Sequence, residues 1–238
     1  MPLCCLLLVL AYTLGSHLRR TSSGPAPERW WVSALVVWSG FALCVSWLNV
    51  SRIHQQRQSW LHDECDSIAH VYRLLQTLPR NERAQMRLLL LSYLDANLRN
   101  RDAGGAAPGA EEESLAIHSQ LYALTTRLVK AKTIGDFQGA ILTQALSRMI
   151  SVHHRTSYAL HERLSGVELG YVLFLSLLGA GLVGYARVPR AGWLSLLVII
   201  GASLSLVLDL NNPWSGWIRV DRKNLQELST LLHQKEKL

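Results

Sequence analysis

Two hydrophobic patterns alternate along this chain. Four stretches are apolar on every side, and the segments between and after them place apolar residues at helical intervals. The all-round apolar stretches are residues 2–15 "PLCCLLLVLAYTLG", 30–49 "WWVSALVVWSGFALCVSWLN", 167–185 "VELGYVLFLSLLGAGLVGY" and 192–208 "GWLSLLVIIGASLSLVL". The last three approach or reach the roughly 20 residues that a helix needs to cross a hydrocarbon core. Trp30, Trp31, Trp47, Tyr185 and Trp193 stand at or near their ends, where amphipathic rings favour the headgroup level. Buried helices of a soluble protein are the alternative, and runs with almost no polar face favour lipid. The first stretch is short and has two readings. A signal peptide would want a basic start and a small-x-small cleavage site. Without them, it reads as a short membrane helix extended through Ser16 and His17 and stopped by Arg19 and Arg20.

The second pattern predicts amphipathic helices. Leu61, Ile68, Val71, Leu74, Leu75 and Leu78 recur at helical spacing up to Pro79, and "PRNERAQMRLLLLSYLDANLRNR" follows as a second helix with Pro79 near its start. "DAGGAAPGAEEE" reads as a loop. Leu115, His118, Leu121, Leu124 and Leu128 mark a third helix. A fourth, which Asp136 could cap, carries Ile141, Leu142, Ala145, Leu146, Met149 and Ile150 inward. After the last apolar stretch, "DLNNPWSGWIRV" turns the chain: Pro213 stops the helix and Gly216 frees the backbone. Asp221 can then cap a final helix with Leu225, Leu228 and Leu232 on its apolar side. The expected fold is all-α: four transmembrane helices in two pairs with a helical cytoplasmic region between them. The expected divisions are a first pair in 1–50, a helical region in 51–166, a second pair in 167–210, and a turn with an amphipathic helix in 211–238.

Composition and charge fit this division. Hydrophobic residues make up 49% of the 238 and charged residues 17%, below the roughly 25% usual for soluble domains. A net charge of +7 would suggest nucleic acid in a soluble protein; beside apolar spans it reads as basic flanks, and no nucleic acid is expected. Arg52, Arg57, Arg155, Arg163, Arg219, Arg222 and Lys223 flank one side, against Arg19, Arg20, Arg29, Arg187 and Arg190 on the other. The bias puts the middle region and both termini in the cytoplasm.

Candidate chemistry is sparse. His62, Asp66 and His70 share one helix face, but three ligands spread over about 12 Å of helix do not easily meet on one ion. His153 and His154 are adjacent and must face different ways, so only one can join a site. Cys4, Cys5, Cys44 and Cys65 have no paired spacing. No metal, cofactor or catalytic residue is expected, and no enzyme. Ser176, Ala180 and Gly184, Gly201 and Ser205, and Ala42 and Ser46 each repeat at intervals of four. Such small residues let helices approach within a subunit or between subunits, and the pattern does not choose. Glu168 and Asp209 are the acids inside or bordering the spans, where an acid needs a partner or a function. An acid at a helix C-terminus opposes the macrodipole, so Asp209 is expected to pair with Arg155 or another basic residue of the long helix entering the third span.

The order of these features resembles the bestrophin-like family of bacterial membrane proteins. "DLNNPWSGWIRV" is similar to that family's closing motif at Asp209, Leu210, Pro213 and Gly216, with Asn211 in place of a second Asp. "DECDSIAHVYRLLQTLP" resembles the segment after the second span at Glu64 and Ile68, and "LSRMISVHHRTSYALHERLS" the segment before the third span at Arg155. The resemblance makes Glu64, Arg155, Asp209, Asn212, Pro213 and Gly216 the structural or gating candidates. It implies a multi-pass protein of a bacterial inner membrane. Bestrophins proper are pentameric anion channels, so it also implies a homo-oligomer, perhaps five-fold in number, with anions as partners beside the bilayer. The contrasting expectation is a non-conducting scaffold or sensor whose cytoplasmic helices bind a partner protein.

Overall fold

The computed structural model describes residues 2–21, 29–103, 109–186, 190–212 and 223–236. Those residues form eight helices and no strand: α1 (Pro2–Thr21), α2 (Arg29–Leu75), α3 (Arg80–Asp102), α4 (Ala110–Lys130), α5 (Asp136–His161), α6 (Gly166–Tyr185), α7 (Arg190–Asn211) and α8 (Lys223–Glu236). Contacts divide the chain into two units, residues 1–54 with 163–218 and residues 55–162 with 219–238. Among the described residues, two stretches are long and apolar enough to cross a membrane, within Trp30–Leu75 and within Asp136–Tyr185, and Ser195–Asn211 is apolar but shorter.

The first unit holds α1, the start of α2, α6 and α7. Its small residues decide the question that the sequence left open. A Cβ on Gly15 would stand 2.0 Å from the Gly181 carbonyl oxygen, and one on Gly184 would stand 2.2 Å from that of Tyr12. Helices α1 and α6 therefore meet backbone to backbone, as small residues allow in lipid. Ser176 and Ala180 are buried on the same stripe, as are Gly201 and Ser205 on α7. These small positions are filled from within the chain. Cys4, Leu8, Val172, Leu197 and Leu204 add apolar packing around them.

The second unit is a helical bundle whose core joins Ile68, Val71 and Leu75 of α2, Leu90 and Leu94 of α3, Leu121 of α4, and Leu142 and Leu146 of α5. Leu225 and Leu232 of α8 belong to the same core, with Leu228 packed beside them. Pro79 stands at the N-cap of α3, where a missing N–H costs nothing. Gly109 takes φ +75° just before α4, a conformation that glycine adopts freely. Glu111, Glu112 and Glu113 then open α4 and Arg127 and Lys130 close it, as the macrodipole favours.

Three local expectations are corrected. The apolar stretch at 30–49 and the helix after it are one 47-residue helix, because no Gly or Pro interrupts residues 50–60. The segment "AEEE" belongs to α4 rather than to the loop before it. The residue that caps α5 is Gly135, with Asp136 already in the first turn. Asp221, expected to cap α8, lies outside the described residues.

Candidate functional site

The second unit buries a charged cluster that joins three helices. Glu64 sits on α2 at the same register as Leu61, Ile68 and Val71 and is fully buried. One of its carboxylate oxygens accepts from Arg101 of α3. The other accepts from Nδ1 of His153 of α5 at 3.1 Å. An ionised carboxylate has no proton to give, so His153 carries its hydrogen on Nδ1. The edge of the His153 ring meets Tyr93, with ring centroids 5.9 Å apart. Tyr93, Asn97 and Arg101 follow one another at intervals of four on α3, so one helix face supplies all three.

Burial is the largest influence on Glu64 and raises its pKa. The Arg101 charge, the hydrogen bond from His153 and the remaining attractions outweigh it together, and the carboxyl is held below its usual value. Burial, with the Glu64 charge, pushes the neighbouring Cys65 thiol up to about 11. The same two causes raise the Tyr93 hydroxyl far above its ordinary range. The cluster therefore holds one ionised carboxylate against one guanidinium, with a thiol and a phenol kept neutral beside them. Among the described residues, Arg101 Nη1 and His153 Nε2 are buried without a hydrogen-bond partner, while the Asn97 amide lies against the Tyr93 hydroxyl and works against its rise.

Arg57, read from sequence as a flanking cation, is also fully buried. Its Nε donates to the Ala159 carbonyl at 3.1 Å and its Nη2 to that of Glu162. It satisfies carbonyls at the C-terminal end of α5, where a cation suits the macrodipole. Thr156 of α5 donates to the Trp60 carbonyl of α2 at 3.1 Å. Arg155, next to it, is exposed and sets its guanidinium over the Trp60 ring, 5.4 Å from the centroid. That cation–π contact is what its charge meets within the second unit.

In the first unit Glu168 lies in the first turn of α6, which Ser165 caps. Its carboxylate accepts from Ser46 Oγ at 3.2 Å and Asn49 Nδ2 at 3.1 Å, both on α2. Trp38 Nε1 donates to Tyr171 Oη at 2.8 Å between the same helices. Asp209 is half-buried in the last turn of α7, and its carbonyl accepts from the Asn212 N–H at 3.2 Å. Asn211 accepts from the Leu164 N–H through its side-chain oxygen at 2.7 Å. An amide keeps that acceptor where the resembling motif has an acid. Pro213 and Gly216 lie outside the described residues. His62, Asp66 and His70 are exposed on α2, and among the described residues no group of three His, Cys, Asp or Glu is placed to share a metal ion.

Sequence reasoning brought Glu64 forward and missed Arg101, His153 and Arg57. Their signal was register. Each polar residue occupies a position that its helix otherwise gives to the core: Arg57 and Glu64 beside Leu61 and Ile68, Arg101 below Leu94 and Asn97, His153 above Met149. His153 is buried and His154 exposed, as adjacency requires.

No family model matches the chain, and no curated protein matches it. Solved structures do. A bacterial bestrophin homolog from Klebsiella pneumoniae is similar at a TM-score of 0.74 and 13% identity, over 98% of this chain and 94% of its own. A single-substitution variant of a bestrophin homolog from the same organism reaches 0.78 at 13% identity, over 99% and 98%. A variant described as a membrane protein reaches 0.75 at 13% identity, over 98% and 97%.

Proposed function

We propose that this chain, bestrophin-like in fold, is a multi-pass protein of a bacterial inner membrane that assembles into a homo-oligomer, a pentamer, and passes small anions along the common axis. The observation that carries the reading is a fold shared with bestrophin homologs over 98–99% of the chain. In this reading four helices cross the bilayer: α1, the first part of α2, α6 and α7. Four spans enclose too little room for a pore of their own, so conduction requires several subunits. One face of α2 suits an axial position. Val37, Phe41, Val45 and Leu48 recur every three or four residues and are 70%, 60%, 40% and 62% exposed. Such a stripe stands exposed among the described residues, and around an axis it would form a narrow apolar neck. The proposal assigns the chain no catalytic step and no cofactor.

Flux tests it. Purified protein in liposomes is expected to release chloride, and Phe41→Ala, which removes the largest side chain of the stripe, is expected to raise the rate severalfold. Silent vesicles that contain intact, inserted oligomer would overturn conduction and leave the scaffold or sensor reading. A protein that runs as a monomer would remove the pore altogether.

Topology is a separate test. Both termini and the helices between the span pairs are assigned to the cytoplasm from the basic flanks. In a background without the native cysteines, an impermeant thiol reagent applied outside should label a cysteine placed at Ser22 and spare one at Gly105. The opposite labelling would invert the assignment.

A further inference from the structure

The exposed stripe of α2 is bordered by two unlike flanks. On a helix that turns by about 100° per residue, Trp38 lies about 60° to one side of Phe41, while Cys44 lies about 60° and Gly40 about 100° to the other. The first flank carries a large aromatic ring and the second is hollow.

The hollow flank lies within the first unit. Val36, Gly40, Cys44 and Trp47 of α2 face Ile199 and Ser203 of α7 across an apolar groove of about 450 Å³. Gly40 is its open point, since no atom lies within 4 Å of a Cβ built there. A side chain at that position would start in free space, unlike one at Gly15 or Gly184.

The opposite flank is a fixed knob. The Trp38 ring stands 5.9 Å from that of Phe41, centroid to centroid, and its Nε1 donates to Tyr171 Oη of α6 at 2.8 Å. Its one polar group is thereby satisfied, so the indole carries no unmet donor into an apolar groove. Trp38, Tyr171 and Phe174 are 47–61% exposed. At roughly 150–250 Å² per aromatic side chain, they offer about 300 Å² against the about 800 Å² that each partner gives a stable interface. Val45, Val167 and Leu178 extend the same exposed flank.

Apolar exposure is the rule against lipid tails, so shape and depth choose the occupant. Copies around a closed axis are related by rotation alone, and each offers one flank to the other flank of its neighbour. Surfaces that meet must then lie at one depth. Trp38 and Gly40 are two residues apart, about 3 Å along the helix, so knob and hollow meet that condition.

We propose that the groove between α2 and α7 receives the Trp38 indole of a second copy of this chain, and that this contact, repeated around the axis, joins the subunits. The groove is completed only by its neighbour: α2 and α7 supply the walls and the second copy supplies the ring. The contact rests on the homo-oligomer reading with the α2 stripe at the axis, and it names the surfaces that meet.

Crosslinking of full-length protein in lipid bilayers tests it. Cys44 lines the groove, and Val45 stands on the Trp38 side of α2 at nearly the same depth. Adjacent residues of one helix point about 100° apart, so a bond between them should form across chains. In a background of Cys4→Ala, Cys5→Ala and Cys65→Ala, the change Val45→Cys should let copper phenanthroline link Cys44 to the neighbouring subunit. A ladder of covalent oligomers on a non-reducing gel is the expected result. Gly40→Trp fills the hollow from its own side, and should abolish the ladder and shift the purified protein from oligomer to monomer by light scattering. Adding Trp38→Ala to Gly40→Trp removes the competing ring and should restore the oligomer, a recovery that misfolding would not show. A wild-type-sized oligomer that gives no ladder, or a Gly40→Trp oligomer of unchanged size, would overturn the contact, leave the groove to acyl chains and keep the homo-oligomer reading. A monomeric wild type would overturn that reading itself, and the contact with it.

Discussion

Glu64→Gln is expected to destabilise the protein by roughly 3–5 kcal/mol, the cost of leaving one member of a buried ion pair without its counter-charge. The abandoned charge is Arg101, whose guanidinium is almost wholly buried and has one nitrogen unpartnered already. Unfolding followed by tryptophan fluorescence in detergent measures the loss. The double variant Glu64→Leu, Arg101→Met should be less damaged than the sum of the two single changes, because no charge is then stranded. Additive losses would show that the two side chains act independently. The pair also predicts an acid limb. Its carboxyl is held below the usual glutamate value, so its contribution is complete above about pH 4.3, the unfolded value. That contribution fades as pH falls through the lowered folded value. Glu64→Gln should lack that limb.

Gly184→Leu should be comparably severe for a different reason. Even a Cβ there would stand 2.2 Å from the Tyr12 carbonyl oxygen, and a backbone atom of a packed helix cannot swing aside as a side-chain end can. Overpacking a tight contact costs typically 1–3 kcal/mol or more. Here the strain should release by parting α1 from α6. Gly15→Ala, facing the Gly181 carbonyl at 2.0 Å, should act in the same direction. Gly40→Ala and Gly170→Ala are the controls. Nothing lies within 4 Å of a Cβ at either position, and alanine is favoured over glycine in a helix by up to about 1 kcal/mol. A disulfide trap between α1 and α6 that closes in wild type and fails in Gly184→Leu would place the damage at that crossing. Equal stability of all four variants would refute the crossing.

The helices were legible because burial leaves a local trace. The spacing of Leu61, Ile68 and Val71, the proline before α3 and the leucines of α8 each announce an element within a dozen residues. The cluster around Glu64 was not legible as a set. Arg101 and His153 lie 37 and 89 residues from Glu64, and no local pattern says that three helices will bring them together. Arg101 stands beside Asp102 near a helix end, where a solvated cation is the ordinary expectation. The histidines that drew notice, His62 and His70, stand on the opposite, exposed side of α2 from Glu64. The small-residue stripes show the same limit from the other direction. Sequence gave their spacing, and only the crossing of α1 on α6 showed what each glycine touches.

Helix α2 runs for 47 residues without interruption, about 70 Å at 1.5 Å per residue. Along such a helix angular phase accumulates and is never reset. One residue inserted after Val50 would turn every later position, Glu64 included, by about 100° relative to Phe41 and Leu48. Seven residues, close to two turns, would miss the original phase by only about 20°. The spacing between the apolar stripe and the buried carboxylate therefore behaves like the pitch of a screw. It tolerates change in whole turns and resists it in single steps, so substitutions should be tolerated at the exposed Arg52, Gln55 and Gln56 while single insertions and deletions beside them should not.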